Sequence, residues 1–240
     1  FYGMCKDGGA EGNGTLFEYD LNSGTFTKKF DFDRDTDGDD PEGSLVLASN
    51  GLLYGTTNSG GYSSLGTIFE YNPGATEISI VADLQSPKDV FEPNQPLMVA
   101  SNGILYGVSM EGGTNDGGVL YAFDPATDTY SVLHEFTNVG GDEPHGELIE
   151  YNHKLYGTCY RGGTFDDGVI FSWDLQTSTY TIEYTFDTSI SYNPDNNLTL
   201  TSDGKLLGAT ANGGDNGVGT MYEFDPNTST FTEYVSFSFS

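Results

Sequence analysis

Positive charge is what this sequence lacks most. The 240 residues include 8 Lys and Arg against 36 Asp and Glu, which gives a formal net charge of −28. Nucleic acids and anionic lipid headgroups attract proteins through clustered basic residues. The chain is therefore not expected to bind nucleic acid or to dock on a membrane through a basic patch.

Long apolar runs and cysteines are also scarce. No stretch of about 18 apolar residues occurs, so we expect no direct membrane insertion. The two cysteines, Cys5 and Cys159, do not make the disulfide framework that small secreted domains need, and they leave the redox compartment open. Because 36% of the residues are hydrophobic and 14% aromatic, a packed core is expected rather than disorder.

Glycine, in contrast, is abundant, and its positions reveal an internal repeat. The 33 glycines are about twice the usual share of roughly 7%. A Leu-Tyr-Gly-like signature recurs at intervals of 52, 52, 50 and 51 residues, and a Gly pair, a third Gly and an aromatic run follow every copy. The five copies of the signature are Phe1–Gly3, Leu53–Gly55, Leu105–Gly107, Leu155–Gly157 and Leu206–Gly208.

Each period predicts four short antiparallel strands, which we name A to D in chain order. Strand A (for example Ser44–Ala48) is followed by an Asn-Gly type turn, strand B carries the signature, strand C is the aromatic run, and strand D follows an Asp-Pro type turn (for example Thr129–Phe136). No segment shows a helical apolar period. The pattern predicts an all-β protein, a β-propeller of about five four-stranded antiparallel blades.

The repeats predict one propeller domain over residues 1–240. Its repeats run over 1–52, 53–104, 105–154, 155–205 and 206–240. The first copy lacks strand A, which leaves 19 strands where a closed five-blade ring needs 20. Natural sheets avoid unpaired edges. We therefore expect an incomplete ring, or part of a longer chain that supplies the closing strand or more blades.

The order of these motifs resembles known repeat families. Leu-Tyr-Gly, Gly-Gly and an aromatic strand ending in Asp124-Pro125 are similar to kelch-type propeller repeats, and the further Gly-Thr-Ile-Phe motif (Gly66–Phe69) and the Pro before strand A resemble bacterial GloVer repeats. The latter resemblance implies a secreted protein or one attached to the bacterial cell surface, with secretion or anchoring machinery as a further partner. It carries over no catalytic residues.

One acidic loop has the composition of a cation site. Alternate carboxylates followed by a Gly let a tight loop wrap several oxygens around a hard cation such as Ca²⁺. The alternative is a solvated acidic loop. The candidate metal ligands are Asp33, Asp35, Asp37, Asp39 and Glu42.

The candidate ligand face is formed by the B-to-C and D-to-A connections. A meander places these longer loops at one end of the blades, together with most of the carboxylates, and loops carry function. Exposed aromatic side chains there could stack on sugars or anchor a protein, or could simply pack the loops. The candidate residues are Tyr62, Asn115, Asp116, Phe165, Asp166 and Asp167.

Signals for catalysis are weak. No histidine has a nucleophile nearby in sequence, and a structural role is expected for each: His134, His145 and His153. The acid pairs Asp142-Glu143 and Asp166-Asp167 could serve a glycosidase, although proximity is expected by chance among so many acids. The sequence therefore favours an exported, non-enzymatic module for adhesion or binding of an extracellular protein or glycan. A glycoside hydrolase-like propeller is the alternative, and a lectin lies between the two.

Overall fold

The computed structural model describes residues 1–85, 93 and 95–238, and in these residues it contains strands and turns but no helix. No helix long and apolar enough to cross a membrane is therefore found in the described residues. The strands are β1 (Tyr2–Cys5), β2 (Thr15–Asp20), β3 (Thr25–Asp31), β4 (Val46–Leu47), β5 (Leu53–Thr57), β6 (Thr67–Tyr71), β7 (Ile78–Asp83), β8 (Met98–Val99), β9 (Leu105–Ser109), β10 (Val119–Asp124), β11 (Thr129–Glu135), β12 (Asp142–Tyr151), β13 (Lys154–Arg161), β14 (Val169–Asp174), β15 (Thr179–Thr185), β16 (Ser191–Pro194), β17 (Thr199–Leu200), β18 (Leu206–Gly213), β19 (Thr220–Asp225) and β20 (Thr230–Ser236).

These strands form five antiparallel meander sheets in chain order. The first sheet is β1-β2-β3, and the next three are β4 to β7, β8 to β11 and β12 to β15. In the fifth, β16 and β17 both pair with β18, which continues to β19 and β20. The first sheet has three strands in the described residues, which correspond to strands B, C and D of the repeat. Strand A differs from prediction in three sheets: it is only two residues long in the second (Val46–Leu47) and the third (Met98–Val99), and it is broken in two in the fifth.

Consecutive sheets pack face to face, as the blades of a propeller do. Four buried clusters join the first sheet to the second, the second to the third, the third to the fourth and the fourth to the fifth. The A strands of neighbouring sheets contact one another, β4 with β8 and β12 with both β8 and β17, so they lie innermost. The predicted β-propeller is confirmed.

The glycine of the repeated signature has a packing role. In the fourth sheet, a Cβ on Gly157 would lie 2.6 Å from the ring of Phe171, which crosses over it from the neighbouring strand. Gly55 stands in the same relation to Phe69, at 2.7 Å. Because no side chain intervenes, the aromatic ring of strand C can lie flat over strand B, which explains why the Gly and the aromatic residue recur together.

On the outer face of the first sheet lie residues whose equivalents in other repeats belong to the core, and no other sheet of the described residues covers them. Within the described residues, none of the four clusters joins the first sheet to the fifth. Phe1 is 74% exposed, whereas Leu105 at the same repeat position is fully buried. Tyr19 is 38% exposed, whereas its equivalent Phe123 is fully buried. Burial of a repeat position is thus decided by whether a neighbouring sheet packs on it.

The two cysteines allow this difference in burial between repeats to be tested, because Cys5 and Cys159 occupy the same repeat position. Cys5 is exposed, whereas Cys159 is buried, and burial raises the pKa of its thiol well above the ordinary value. The thiolate is the reactive form of cysteine. We expect a thiol reagent to modify one cysteine, Cys5, in the folded protein and Cys159 only after unfolding. Rapid reaction of Cys159 in the folded state, seen by peptide mass spectrometry, would contradict this packing.

Candidate functional site

The two classes of longer loop meet at one end of the sheets, which we call the loop face. Within the second sheet, the amide of Asp39 donates to the carbonyl of Ser59 at 2.7 Å, and the amide of Ser59 donates back at 3.1 Å. Between neighbouring sheets, the amide of Glu143 donates to the carbonyl of Gly117 at 3.1 Å. The prediction that the B-to-C and D-to-A loops share one end is therefore confirmed.

The acidic loop before β4 is organised by its own carboxylates. The Oδ1 atom of Asp33 accepts from the amide of Asp35 at 2.9 Å, and the Oδ2 atom of Asp37 accepts from the amide of Asp33 at 3.2 Å. Asp39 is buried, and its Oδ2 atom lies 3.4 Å from Nη1 of Arg34. Burial raises the pKa of Asp37, and the Asp33 charge adds to this effect. The loop thus holds several carboxylates close together, mostly bonded to its own backbone.

Glu42, the fifth predicted ligand, turns towards the first sheet. Its carboxylate pairs with Nζ of Lys6, which also lies 3.9 Å from Oδ2 of Asp40. In the part of the chain that the structure describes, no group of three or more His, Cys, Asp or Glu side chains is arranged to hold a metal. Calcium binding by this loop stays a prediction.

Apolar side chains project from the loop face. Tyr62 and Phe165, in the B-to-C loops of the second and fourth sheets, are 78% and 61% exposed. Two further residues, Val139 and Ile190 in D-to-A loops, are also exposed and were not singled out from the sequence. The sequence signal for Val139 was its place in a loop between polar and glycine residues. Together these side chains give an acidic face several separate apolar contact points.

The predicted acidic residues of this face mainly hold the loops. Oδ1 of Asp116 accepts from the amide of Gly112 at 3.2 Å, and Oδ1 of Asp166 accepts from the amide of Gly162 at 3.0 Å. Asp167 is buried, and its Oδ2 atom accepts from a backbone amide at 2.9 Å. Asn115 is exposed. The carboxylates therefore fix the loop shape, and Asn115 remains exposed beside them.

A histidine–aspartate pair near the innermost strands was missed by sequence reasoning. Nδ1 of His145 lies 2.7 Å from Oδ1 of Asp195 in the next sheet, and the imidazole stacks on Tyr160 with ring centroids 5.3 Å apart. Nε2 of His145 is buried and has no hydrogen-bond partner among the described residues. Both residues directly follow the Pro that precedes strand A, and this shared repeat position was the signal available.

The carboxyl group of Asp142, at the start of the strand that contains His145, has a shifted pKa. Burial raises the pKa of Asp142, the Asp166 charge raises it further, and the amide of Glu143 bonded to Oδ1 at 3.0 Å opposes the rise. Glu143 itself lies 3.3 Å from Nη1 of Arg161. A carboxyl group that stays protonated at higher pH is suited to donate a proton. The acid pair predicted from the sequence thus contains two chemically different carboxyl groups.

Comparison with known proteins gives the family. The sequence model of the Gloeobacter/Verrucomicrobia repeat matches residues 1–98 and 73–240, which together cover the chain. The chain belongs to this family. The predicted resemblance to GloVer repeats is confirmed. No curated protein matches the sequence.

Solved structures show the same fold with little sequence identity. The chain is similar to a protein in a nidogen/laminin complex (TM-score 0.57, 13% identity, 94% of this chain and 74% of that one). It is also similar to TolB from Acinetobacter baumannii (TM-score 0.57, 13% identity, 97% of this chain and 51% of that one). A gluconolactonase from Xanthomonas campestris matches at a TM-score of 0.55 and 13% identity, over 92% of this chain and 68% of that one. At this identity the likeness concerns the fold alone.

Proposed function

We propose that the chain is an exported surface module that binds an extracellular protein or glycan through its loop face. The observation that supports this most is the set of exposed apolar side chains, led by Tyr62 and Phe165, on a face otherwise rich in carboxylates. Large apolar side chains exposed among polar ones are typical of interaction sites, and aromatic rings suit both sugars and proteins. Membership of a tandem-repeat family fits a modular binding role.

The rigidity of the loops also favours binding. The Gly pair of each B-to-C loop is followed by a backbone bond back to its first glycine, for example from the amide of Gly118 to the carbonyl of Gly112 at 3.1 Å and from Gly168 to Gly162 at 3.1 Å. A loop held in one conformation loses less entropy when a ligand binds. The loop face is thus preorganised for contact.

Substitutions on the loop face test the proposal. We expect Tyr62→Ser combined with Phe165→Ser to weaken binding at least tenfold, because two aromatic contacts are removed. The readouts are a glycan array and capture of purified extracellular-matrix proteins, with affinities measured for each hit. Leu21→Ser is the matched control, since Leu21 is 65% exposed but lies in a C-to-D turn at the opposite end. Equal affinities for the wild type and the double variant would refute the proposal.

Calcium binding by the acidic loop is part of the proposal and has a separate test. If Ca²⁺ binds the folded loop, saturating Ca²⁺ stabilises the protein by about 2.7 kcal/mol at a hundredfold excess over Kd. We expect the unfolding temperature to rise with Ca²⁺ relative to a chelator in the wild type but not in Asp35→Ala. Asp203→Ala, in an A-to-B turn, should respond as the wild type does. Superimposable curves for the wild type in Ca²⁺ and chelator would exclude the site.

A carbohydrate-active enzyme is the second candidate. Burial raises the pKa of Asp142, and a second carboxyl group, that of Asp166, is close enough for its charge to raise this pKa further. General acid catalysis of glycoside hydrolysis needs such a pair. A hydrolysis screen on polysaccharides separates the two proposals. Turnover that disappears in Asp142→Asn while thermal stability is retained would favour the enzyme, whereas binding without turnover favours the module.

A further inference from the structure

A cleft opens between the third and fourth sheets at the end opposite the loop face, which we call the turn face. Its volume is about 370 Å³, within the range of small-molecule sites. One wall is the third sheet, with Tyr106, Ala122 and Leu133, and the other includes Trp173 and Leu175 of the fourth sheet. The cleft is separate from the acidic loop and from the His145–Asp195 pair.

Comparison of the five sheets explains why the cleft lies here. At the same height, each sheet carries a row of three paired residues, one each from strands B, C and D, and in the first four sheets the Tyr of this row packs towards the next sheet. The middle residue is Glu in the first, second and fifth sheets, Ser in the fourth and Ala in the third. The rows are Tyr2, Glu18 and Thr27; Tyr54, Glu70 and Ser79; Tyr106, Ala122 and Ser131; Tyr156, Ser172 and Thr181; and Leu207, Glu223 and Thr232.

A carboxylate occupies this height in the other sheets. In the second sheet, Asn50 donates to the hydroxyl of Tyr54 at 2.9 Å, and that hydroxyl donates to Oε2 of Glu70 at 3.0 Å. In the fourth, where the row has Ser172, its hydroxyl donates to Oε1 of Glu183 at 2.6 Å. The third sheet therefore departs from an arrangement that its neighbours keep.

The third sheet keeps the Asn and Tyr side chains of this arrangement but has no Glu at the middle position of the row. Asn102 donates to the hydroxyl of Tyr106 at 2.9 Å, as Asn50 does to Tyr54. The carboxylate that would take the phenolic proton is replaced by the methyl group of Ala122. Burial raises the pKa of Tyr106, so the hydroxyl keeps its proton at neutral pH. The cleft is thus lined by the Tyr106 hydroxyl and by Ala122, which takes the place of the Glu that accepts from the equivalent Tyr in the second sheet.

We propose that this cleft binds a neutral hydroxyl-bearing ring, such as a pyranose unit of a glycan. A ring hydroxyl oxygen accepts the Tyr106 proton, other hydroxyls meet Ser131 and the carboxylate of Asp124, and the apolar side of the ring rests against Leu133 and Trp173. An anion is disfavoured by Asp124 and the net charge of −28. A cation offers no acceptor for Tyr106. A ligand with both donors and acceptors satisfies the lining.

Trp173 provides a local readout, because it is the single tryptophan of the chain. Its fluorescence is titrated with methyl β-D-glucopyranoside, methyl β-D-galactopyranoside and N-acetylglucosamine, with sodium acetate and choline chloride as charged comparisons. We expect a saturable change with at least one neutral sugar at millimolar concentration and none with the charged probes. A flat response to all three sugars, or saturation by a charged probe instead, would overturn the proposal.

Three variants assign the response to the cleft. Ala122→Glu introduces the side chain found at this position in three other sheets. It should abolish the fluorescence response to sugar, because the Glu side chain fills the cleft. Tyr106→Phe should weaken the sugar affinity roughly two- to tenfold, because one neutral hydrogen bond is removed. This variant replaces Ala122→Glu as the test if Ala122→Glu does not fold. Tyr62→Ser, on the loop face, should leave the fluorescence response unchanged. An unchanged response in both folded cleft variants would also overturn the proposal, whatever the outcome for the loop face.

Discussion

Phe171→Ala is expected to destabilise the protein by about 3–5 kcal/mol, the usual cost of emptying a large aromatic site in a core. Phe171 is fully buried in the interface between the third and fourth sheets. Its ring centroid lies 5.1 Å from that of Phe136 and 5.6 Å from that of Tyr180. Since Gly157 lies beneath the ring, no neighbouring side chain on strand B can fill the space. Chemical denaturation followed by circular dichroism measures the loss.

Phe17→Ala is the matched control, because Phe17 occupies the same repeat position in the first sheet. Its ring stacks on Phe26 at a centroid distance of 4.9 Å and is only partly buried, because no other sheet in the described part of the chain packs on it. About half of the transfer free energy of a buried side chain is then at stake, or about 1 kcal/mol. Equal losses for the two variants would mean that a further surface covers the outer face of the first sheet in solution.

Gly168→Ala is expected to destabilise the protein strongly for so small a substitution. Gly168 has a φ of +102°, and a Cβ there would lie 2.5 Å from Cδ of Pro194 and 2.6 Å from the carbonyl oxygen of Cys159. The positive φ costs a non-glycine residue about 1–2 kcal/mol. Forcing backbone and proline apart adds about 1–3 kcal/mol, as overpacking does elsewhere. We expect a total loss of about 2–5 kcal/mol in thermal or chemical unfolding.

Gly74→Ala separates the two contributions. Gly74 has nearly the same φ, +99°, but nothing lies within 4 Å of a Cβ built on it. This variant should lose only the conformational part, about 1–2 kcal/mol. If Gly168→Ala were no worse than Gly74→Ala, the close contact between the loop of the fourth sheet and Pro194 of the fifth would not exist in solution.

The repeat was readable from the sequence because its residues act locally. Leu-Tyr-Gly followed by an aromatic run is needed wherever a ring of strand C crosses strand B, so Gly157 and Phe171 recur together with Gly55 and Phe69. Hairpin turns such as Asn50-Gly51 likewise depend on adjacent residues, with Gly51 at a φ of +82°. Strand number and order in the sheets followed from these signals.

The candidate sites were less accessible to such reasoning. Tyr62 and Phe165 were predicted to be exposed and are, since loop tips have few neighbours to cover them. The contact between His145 and Asp195 joins side chains that are 50 residues apart, in neighbouring sheets. No pattern of adjacent residues could therefore predict it. The cleft beside Ala122 needs the register of three strands before the missing carboxylate can be noticed.

The sequence by itself determined the period, the all-β character, the order of strands within each sheet and the acidic charge. Local backbone conformation and alternating side chains encode these properties, and the same signals recur in each copy of the repeat. Only the tertiary structure decided which copies of a repeat position are buried. Cys5 is exposed and Cys159 is buried at the same repeat position, and Phe17 is partly buried where Phe171 is fully buried, because burial depends on the sheet that packs against a residue and not on the residue itself.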